Sequence, residues 1–201
     1  KSECVQLKNR KEMKKIYCLC LACLLVSVVA AQSVKELYIF HTNDMHSRIE
    51  PFASYFPDTV LAGKAGVLRR GAFVKEQRRE HKDMLLFDSG DFSQGSPYYN
   101  LFKGEVEIKM MNEIGYDAGT IGNHEFDFGL DNMARLFKMA NFPIVCANYD
   151  VAGTVLEGLV KEYTVIERDG IRIGGFGLGP ELDGLVAHAN YGNVKFEDPV
   201  S

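Results

Sequence analysis

The chain has 201 residues, 46% of them apolar and 25% charged, the balance of an ordinary globular domain and not of a disordered or collagenous polypeptide. Its formal charge is −4, and residues 32–201 taken alone carry 17 basic against 25 acidic side chains, or −8. That acidity argues against a nucleic-acid duplex or an anionic membrane as the main partner, and it suits carboxylates gathered to hold metal cations.

The first predicted element is a leader. Met13-Lys14-Lys15 precedes an apolar run from Ile16 to Ala31, which ends on the small residues Ala30 and Ala31 before Gln32. A basic start, a short apolar middle and a small-residue end describe a secretory signal peptide. The run is short for a stable membrane span, and an uncleaved anchor is the alternative. Lys1 to Glu12 lie upstream of Met13 and are set aside from the fold. The expected division is therefore 1–31 for upstream residues and signal peptide, with 32–201 as the folded part. Cys4, Cys18, Cys20 and Cys23 leave with the leader, so Cys146 remains without an internal disulfide partner. Export to the periplasm or the outside follows, with no stable membrane span after cleavage.

From Glu36 onward, strand and helix patterns alternate. Leu37 to Phe40 is a short apolar run that stops at His41-Thr42-Asn43-Asp44. Residues 66–80 place Val67, Gly71 and Val74 at helical spacing. Met84 to Phe87 reads as a second strand, ending at Asp88-Ser89-Gly90-Asp91. Residues 105–114 predict a helix striped by Val106, Met110 and Ile114 and closed by Gly115. Ala118 to Ile121 is a third strand, ending at Gly122-Asn123-His124. Residues 130–140 put Met133, Leu136, Phe137 and Ala140 on one helical face, and Asn141 and Pro143 end that helix. Ile144 to Ala147 is a fourth strand. Tyr163–Arg168 and Ile171–Phe176 flank Asp169-Gly170, a hairpin signal. Gly179 to Ser201 shows turn residues and no clear element. Repeated βαβ units imply an α/β fold with a largely parallel sheet faced by helices.

Functional groups in open α/β sheets gather beyond the carboxyl ends of the strands. Three successive strands here end in possible metal ligands: Asp44 and His46, then Asp91, then Asn123, His124 and Asp127. Singly, Asp44 reads as a turn cap and His46 as a surface histidine. Jointly, three consecutive strand ends supplying carboxylate, imidazole or amide point to hard or borderline divalent ions such as Mn²⁺, Zn²⁺, Mg²⁺ or Fe²⁺. A thiolate zinc site has no cysteine cluster to form it. Asp91 has two oxygens with which to bridge two ions, and a pair of ions about 4 Å apart can activate a water and clamp a phosphoryl oxygen.

Asp44-x-His46, Gly90-Asp91 and Gly122-Asn123-His124-Glu125 with Asp127 resemble the motifs of the calcineurin-like metallophosphoesterases. The longer strings His41-Thr42-Asn43-Asp44-Met45-His46 and Gly122-Asn123-His124-Glu125-Phe126-Asp127 resemble the branch that holds 5′-nucleotidases, UDP-sugar hydrolases and 2′,3′-cyclic phosphodiesterases. The resemblance is good over residues 36–150 and less sharp beyond. It implies a metallophosphoesterase-type α/β/β/α sandwich, here incomplete, as the amino-terminal part of a catalytic domain. It implies that Asp44 and His46 bind a first metal, that Asp91 bridges two, and that Asn123 binds the second. His124 would act on the phosphate, with Asp127 orienting its imidazole. Asp88 matches no ligand position and reads as a supporting or turn residue. Asn148 reads equally as a site-facing residue or a cap.

The family completes its site with later histidines in Gly-His and Gly-His-x-His segments, and this sequence has neither. His188, in Ala187-His188-Ala189, reads as a loop histidine. His81 reads as a solvated helix-end residue, and His41, at the first strand end, as a packing residue or one that supports a ligand from behind. The expectation is a fragment with half a site, weak metal binding and little turnover, whose missing segment and nucleoside-binding domain lie in cis or on a separate chain. The expected substrate is a nucleoside monophosphate or another small phosphoester. A related exported phosphodiesterase or UDP-sugar hydrolase, and a non-catalytic exported metal-binding module, are the alternatives.

Overall fold

The computed structural model of the chain describes residues 34–200, together with Met13, Lys15 and Tyr17. Two compact units divide between Glu36 and Leu37. In the first, Met13, Lys15 and Tyr17 are helical; apart from Tyr17, the expected leader run Ile16 to Ala31, with its cysteines, lies outside the described residues. Among the described residues no helix is long and apolar enough to cross a membrane.

The second unit opens with strand β1, Ile39–Thr42. Helix α1 (Val67–Glu80) follows, then β2 (Leu85–Asp88), α2 (Pro97–Phe102), α3 (Glu105–Ile114), β3 (Ala118–Gly119), a 3₁₀ turn (His124–Phe126), α4 (Gly129–Met139) and β4 (Ile144–Val145). The remaining elements are β5 (Tyr149–Asp150), β6 (Val160–Lys161), β7 (Tyr163–Arg168), β8 (Ile171–Phe176), α5 (His188–Tyr191) and β9 (Lys195–Phe196). Five strands form one parallel sheet in the order β1-β2-β3-β4-β6. In β2, which pairs on both sides, Leu85 and Leu86 point to opposite faces, yet both are buried. That is why the run Met84–Phe87 is apolar without alternation.

Strand β1 starts and ends two residues later than the apolar run suggests. Its parallel register pairs His41 with Phe87 and Thr42 with Asp88. The Thr42 hydroxyl donates to the Asp88 carboxylate at 2.6 Å, so the ladder continues into polar sequence because the neighbouring strand supplies the partner. Helix α2 has no counterpart in the apolar pattern. It is set by its ends: Ser96 accepts from Tyr99 N–H at 3.3 Å, Pro97 opens the helix, and Lys103 closes it in the left-handed region. Helices α3 and α4 lie where the stripes predict them. The predicted stripe of α3 is partly displaced: Ile108 and Met111 are buried in the core, while Ile114 of the predicted set packs against it part-buried. In α4, Met133, Leu136 and Phe137 are buried as expected.

Hairpin β7–β8 turns on Asp169 and Gly170, both with positive φ, the geometry of a two-residue hairpin loop. It stands as its own two-stranded sheet, and β5 pairs with β9 in another. The stretch after Gly179 therefore holds two short elements, α5 and β9, that its turn-rich composition hides. Each is too short to show a period, and β9 exists because Tyr149 and Asp150 pair with it.

Candidate metal centre

The loops after β1, β2 and β3 leave the same end of the sheet and are tied to one another by hydrogen bonds. Asp44 N–H donates to Gly90 C=O at 3.0 Å, His46 N–H to Asp91 C=O at 3.0 Å, and Ser47 N–H to Phe92 C=O at 2.9 Å. These bonds extend the β1–β2 pairing beyond both strands. Asp44, His46 and Asp91 all have φ between 43° and 52°. Non-glycine residues rarely take that conformation, and a surrounding network has to hold them in it. Phe92 and Ser47 are buried and anchor the loops from below.

The loop after β3 closes on Asp91. His124 N–H donates to Asp91 Oδ1 at 2.9 Å. A Cβ at Gly122 would come within 2.2 Å of Asp91 Oδ1, so only glycine fits there. Glu125 is 1% exposed, and its carboxylate accepts from the main-chain N–H groups of Asp91, Ser93 and Gly122. Burial, reinforced by the charge of Asp91, pushes its carboxyl up to about 7 against the pull of those hydrogen bonds. The Tyr99 hydroxyl, raised by burial and by the charges of Asp127 and Glu125, donates to His124 C=O at 3.2 Å.

The result is a cluster. One donor atom each from Asp44, His46 and Asp91 lies within 4.8 Å of the other two. His46 Nε2 is 3.7 Å from Asp44 Oδ1, and Asn43 donates its amide to the other oxygen of Asp44. The His46 and His124 rings meet edge to face with centroids 5.2 Å apart. His124 Nδ1 lies 3.1 Å from Asp127 Oδ2. Asn123 is half-buried between Gly122 and His124, the two residues whose main chain packs on Asp91. Two carboxylates and an imidazole nitrogen make a donor set that fits a hard or borderline divalent cation. Cys146, the free cysteine of the described residues, is buried elsewhere, with its thiol on Asn148.

The other candidates fall outside the cluster. Asn148 is committed: its amide holds Gly179 N–H and C=O at 2.8 and 2.9 Å, which settles it as a loop brace. His41 is exposed and borders a cavity of about 440 Å³ lined by Phe87, Asp88, Ala118, Gly119 and Leu178. His81 is a helix-end residue but half-buried, stacked on Tyr38 with ring centroids 3.6 Å apart. His188 opens α5 and packs on Tyr191.

Asp88 is buried at the end of β2, accepting from Thr42 and from Gly90 N–H, and burial pushes its carboxyl from 3.8 up to about 6. Between those values the native state holds a proton that the unfolded chain has lost. Stability from this group is thus complete below pH 3.8 and falls away as pH rises through about 6. Asp88→Asn removes that dependence. In urea unfolding of EDTA-treated protein, the variant is expected to gain on the order of 2–3 kcal/mol relative to wild type between pH 4 and pH 7. Parallel pH profiles for the two proteins would contradict this.

Residues 37–192 match the calcineurin-like phosphoesterase family. The chain belongs to that family. As a member of it, the chain is 38% identical over 159 residues to a snake venom 5′-nucleotidase from Crotalus adamanteus, an alignment covering 76% of this chain and 26% of the venom enzyme. Its fold matches a 5′-nucleotidase precursor from Thermus thermophilus with a TM-score of 0.71 and 34% identity, over 81% of this chain and 32% of that one. It also matches the NAD nucleotidase of Haemophilus influenzae, with a TM-score of 0.69, 28% identity and coverage of 82% and 30%. The chain thus spans between a quarter and a third of the length of these relatives. The α/β architecture with its parallel sheet is that of a calcineurin-like phosphoesterase.

The motifs in the sequence contain Asp44, His46 and Asp91, the three residues that meet, but nothing in them marks Glu125 for a role. A glutamate between a histidine and a phenylalanine shows no sign of burial. Its main-chain partners Asp91, Ser93 and Gly122 lie 34, 32 and 3 residues away, so two of the three belong to a distant loop.

Proposed function

We propose that this chain carries part of the catalytic apparatus of an exported, metal-dependent 5′-nucleotidase, which splits a nucleoside monophosphate into nucleoside and phosphate. The observation that carries the reading is the meeting of Asp44, His46 and Asp91 beside the His124–Asp127 pair. In this reading Asp44 and His46 would hold one divalent ion, Asn123 would offer its amide oxygen to a second, and the Asp91 carboxylate would serve both. Divalent ions there supply positive charge for the phosphoryl oxygens and lower the pKa of a water. Asp127 fixes the His124 ring through Nδ1. The other ring nitrogen, Nε2, is then free to meet the phosphoester and to hold a proton for the departing ribose oxygen. The basic-apolar-small leader pattern and the likeness to a venom enzyme support export.

The test is a panel of AMP, UDP-glucose, NAD and a 2′,3′-cyclic nucleotide, assayed with Mn²⁺ on the complete gene product. AMP hydrolysis is expected to lead. His124→Ala should reduce its kcat by about 10²- to 10⁴-fold with Mn²⁺ affinity unchanged. Preference for UDP-glucose or the cyclic nucleotide would move the protein to the phosphodiesterase reading. Mn²⁺ binding without any hydrolysis would leave a non-catalytic metal-binding module.

A further inference from the structure

We propose that Glu125 is a positioning residue, a single buried carboxylate that sets the distance between the loop carrying Asp91 and the loop carrying Asn123 and His124. The inference rests on the reading of the cluster as a metal site. One oxygen, Oε2, accepts from Asp91 N–H at 3.0 Å and from Gly122 N–H at 2.7 Å, while Oε1 accepts from Ser93 N–H at 3.1 Å. Two of these donors follow β2 and the third follows β3, so one side chain joins two strand ends. The shared oxygen is the decisive feature. Asp91 and Gly122 each bond the same atom, so neither loop can drift without breaking a buried hydrogen bond.

Asp91 is held from three directions as a consequence. Its N–H ends on Glu125, its C=O accepts from His46 N–H, and its side chain accepts from His124 N–H. Its positive φ of 52° is one the backbone leaves readily unless it is fixed at both ends. Glu125 therefore determines where the Asp91 carboxylate lies relative to Asp44 and His46, without facing the cation itself. Groups that orient ligands from behind commonly govern about 10–100-fold in metal affinity.

Glutamine has nearly the same shape but only one acceptor oxygen, and its NH₂ would face N–H donors. Mn²⁺ titration of wild type, Glu125→Gln and Ile108→Val, followed by electron paramagnetic resonance, tests the proposal. Ile108 is fully buried in α3 and serves as a control for general loosening. Wild type is expected to bind, Glu125→Gln to bind about 10–100-fold more weakly, and Ile108→Val to bind like wild type despite a lower Tm. Equal binding by wild type and Glu125→Gln, or equal weakening in both variants, overturns the positioning role alone. A wild-type chain that binds no Mn²⁺ overturns the metal reading and this inference with it. Should Glu125→Gln not fold, amide hydrogen exchange in the wild type decides. The amides of Asp91, Ser93 and Gly122 are expected to exchange as one set that slows together on adding Mg²⁺, and independent exchange overturns the proposal.

Discussion

Asp91→Ala is expected to weaken Mn²⁺ binding by more than about 100-fold, a larger effect than changes behind the ligands of metal sites produce. Isothermal titration calorimetry on the purified chain reads it directly. Asp91 has two separable roles in the structure. Its Oδ1 accepts from His124 N–H at 2.9 Å, which holds the third loop, and its carboxylate contributes one of the three clustered donors. Asp91→Asn separates them. An asparagine retains an acceptor for the His124 N–H but loses the negative charge and one anionic oxygen. Both variants are expected to lose the ion. Retention of full affinity by Asp91→Asn would mean that the residue serves the loop and not the cation.

Phe126→Ala is expected to cost about 3–5 kcal/mol of stability, the range for deleting a fully buried aromatic ring. Phe126 is 0% exposed and meets Tyr149 edge to face with ring centroids 5.9 Å apart. It sits in the 3₁₀ turn between Glu125 and Asp127, so one turn sends a ring into the core, a carboxylate under the loops and an imidazole toward the cluster. The urea midpoint should fall strongly, and the His124–Asp127 pair should loosen with it. A midpoint shift no larger than that of Asp127→Ala, a half-exposed position, would contradict this.

These two positions also show how much was legible in the sequence. Met84–Phe87 and Ile144–Ala147 could be read as strands because they are continuous apolar runs, as strands of a sheet buried on both faces must be. Asp169-Gly170 revealed the hairpin because few residue pairs accept two positive φ values in succession. Asp44, His46 and Asp91, which meet in the structure, could be named because each follows a strand end with a residue able to bind cations. What remained hidden depends on partners distant in sequence. Strand β1 extends through Thr42 only because Asp88 lies opposite. Strand β9 forms only against Tyr149 and Asp150. Helix α2 announced itself through Ser96-Pro97, a capping signal that an apolar-stripe search passes over. Glu107 gave no sign that its carboxylate would be buried and accept from Ser47, and Glu125 none that it would satisfy three main-chain donors. The burial of a charge is decided by who arrives to satisfy it, and the local pattern contains no record of that.

The proposed function requires one divalent cation held jointly by Asp44, His46 and Asp91. Crystals grown with MnCl₂ and measured near the manganese absorption edge test it most directly. The expected map has an anomalous peak about 2.0–2.4 Å from a side-chain donor of each of the three residues. A strong peak elsewhere, or none at millimolar Mn²⁺ with the three side chains clearly resolved, would rule out a cation shared by these residues.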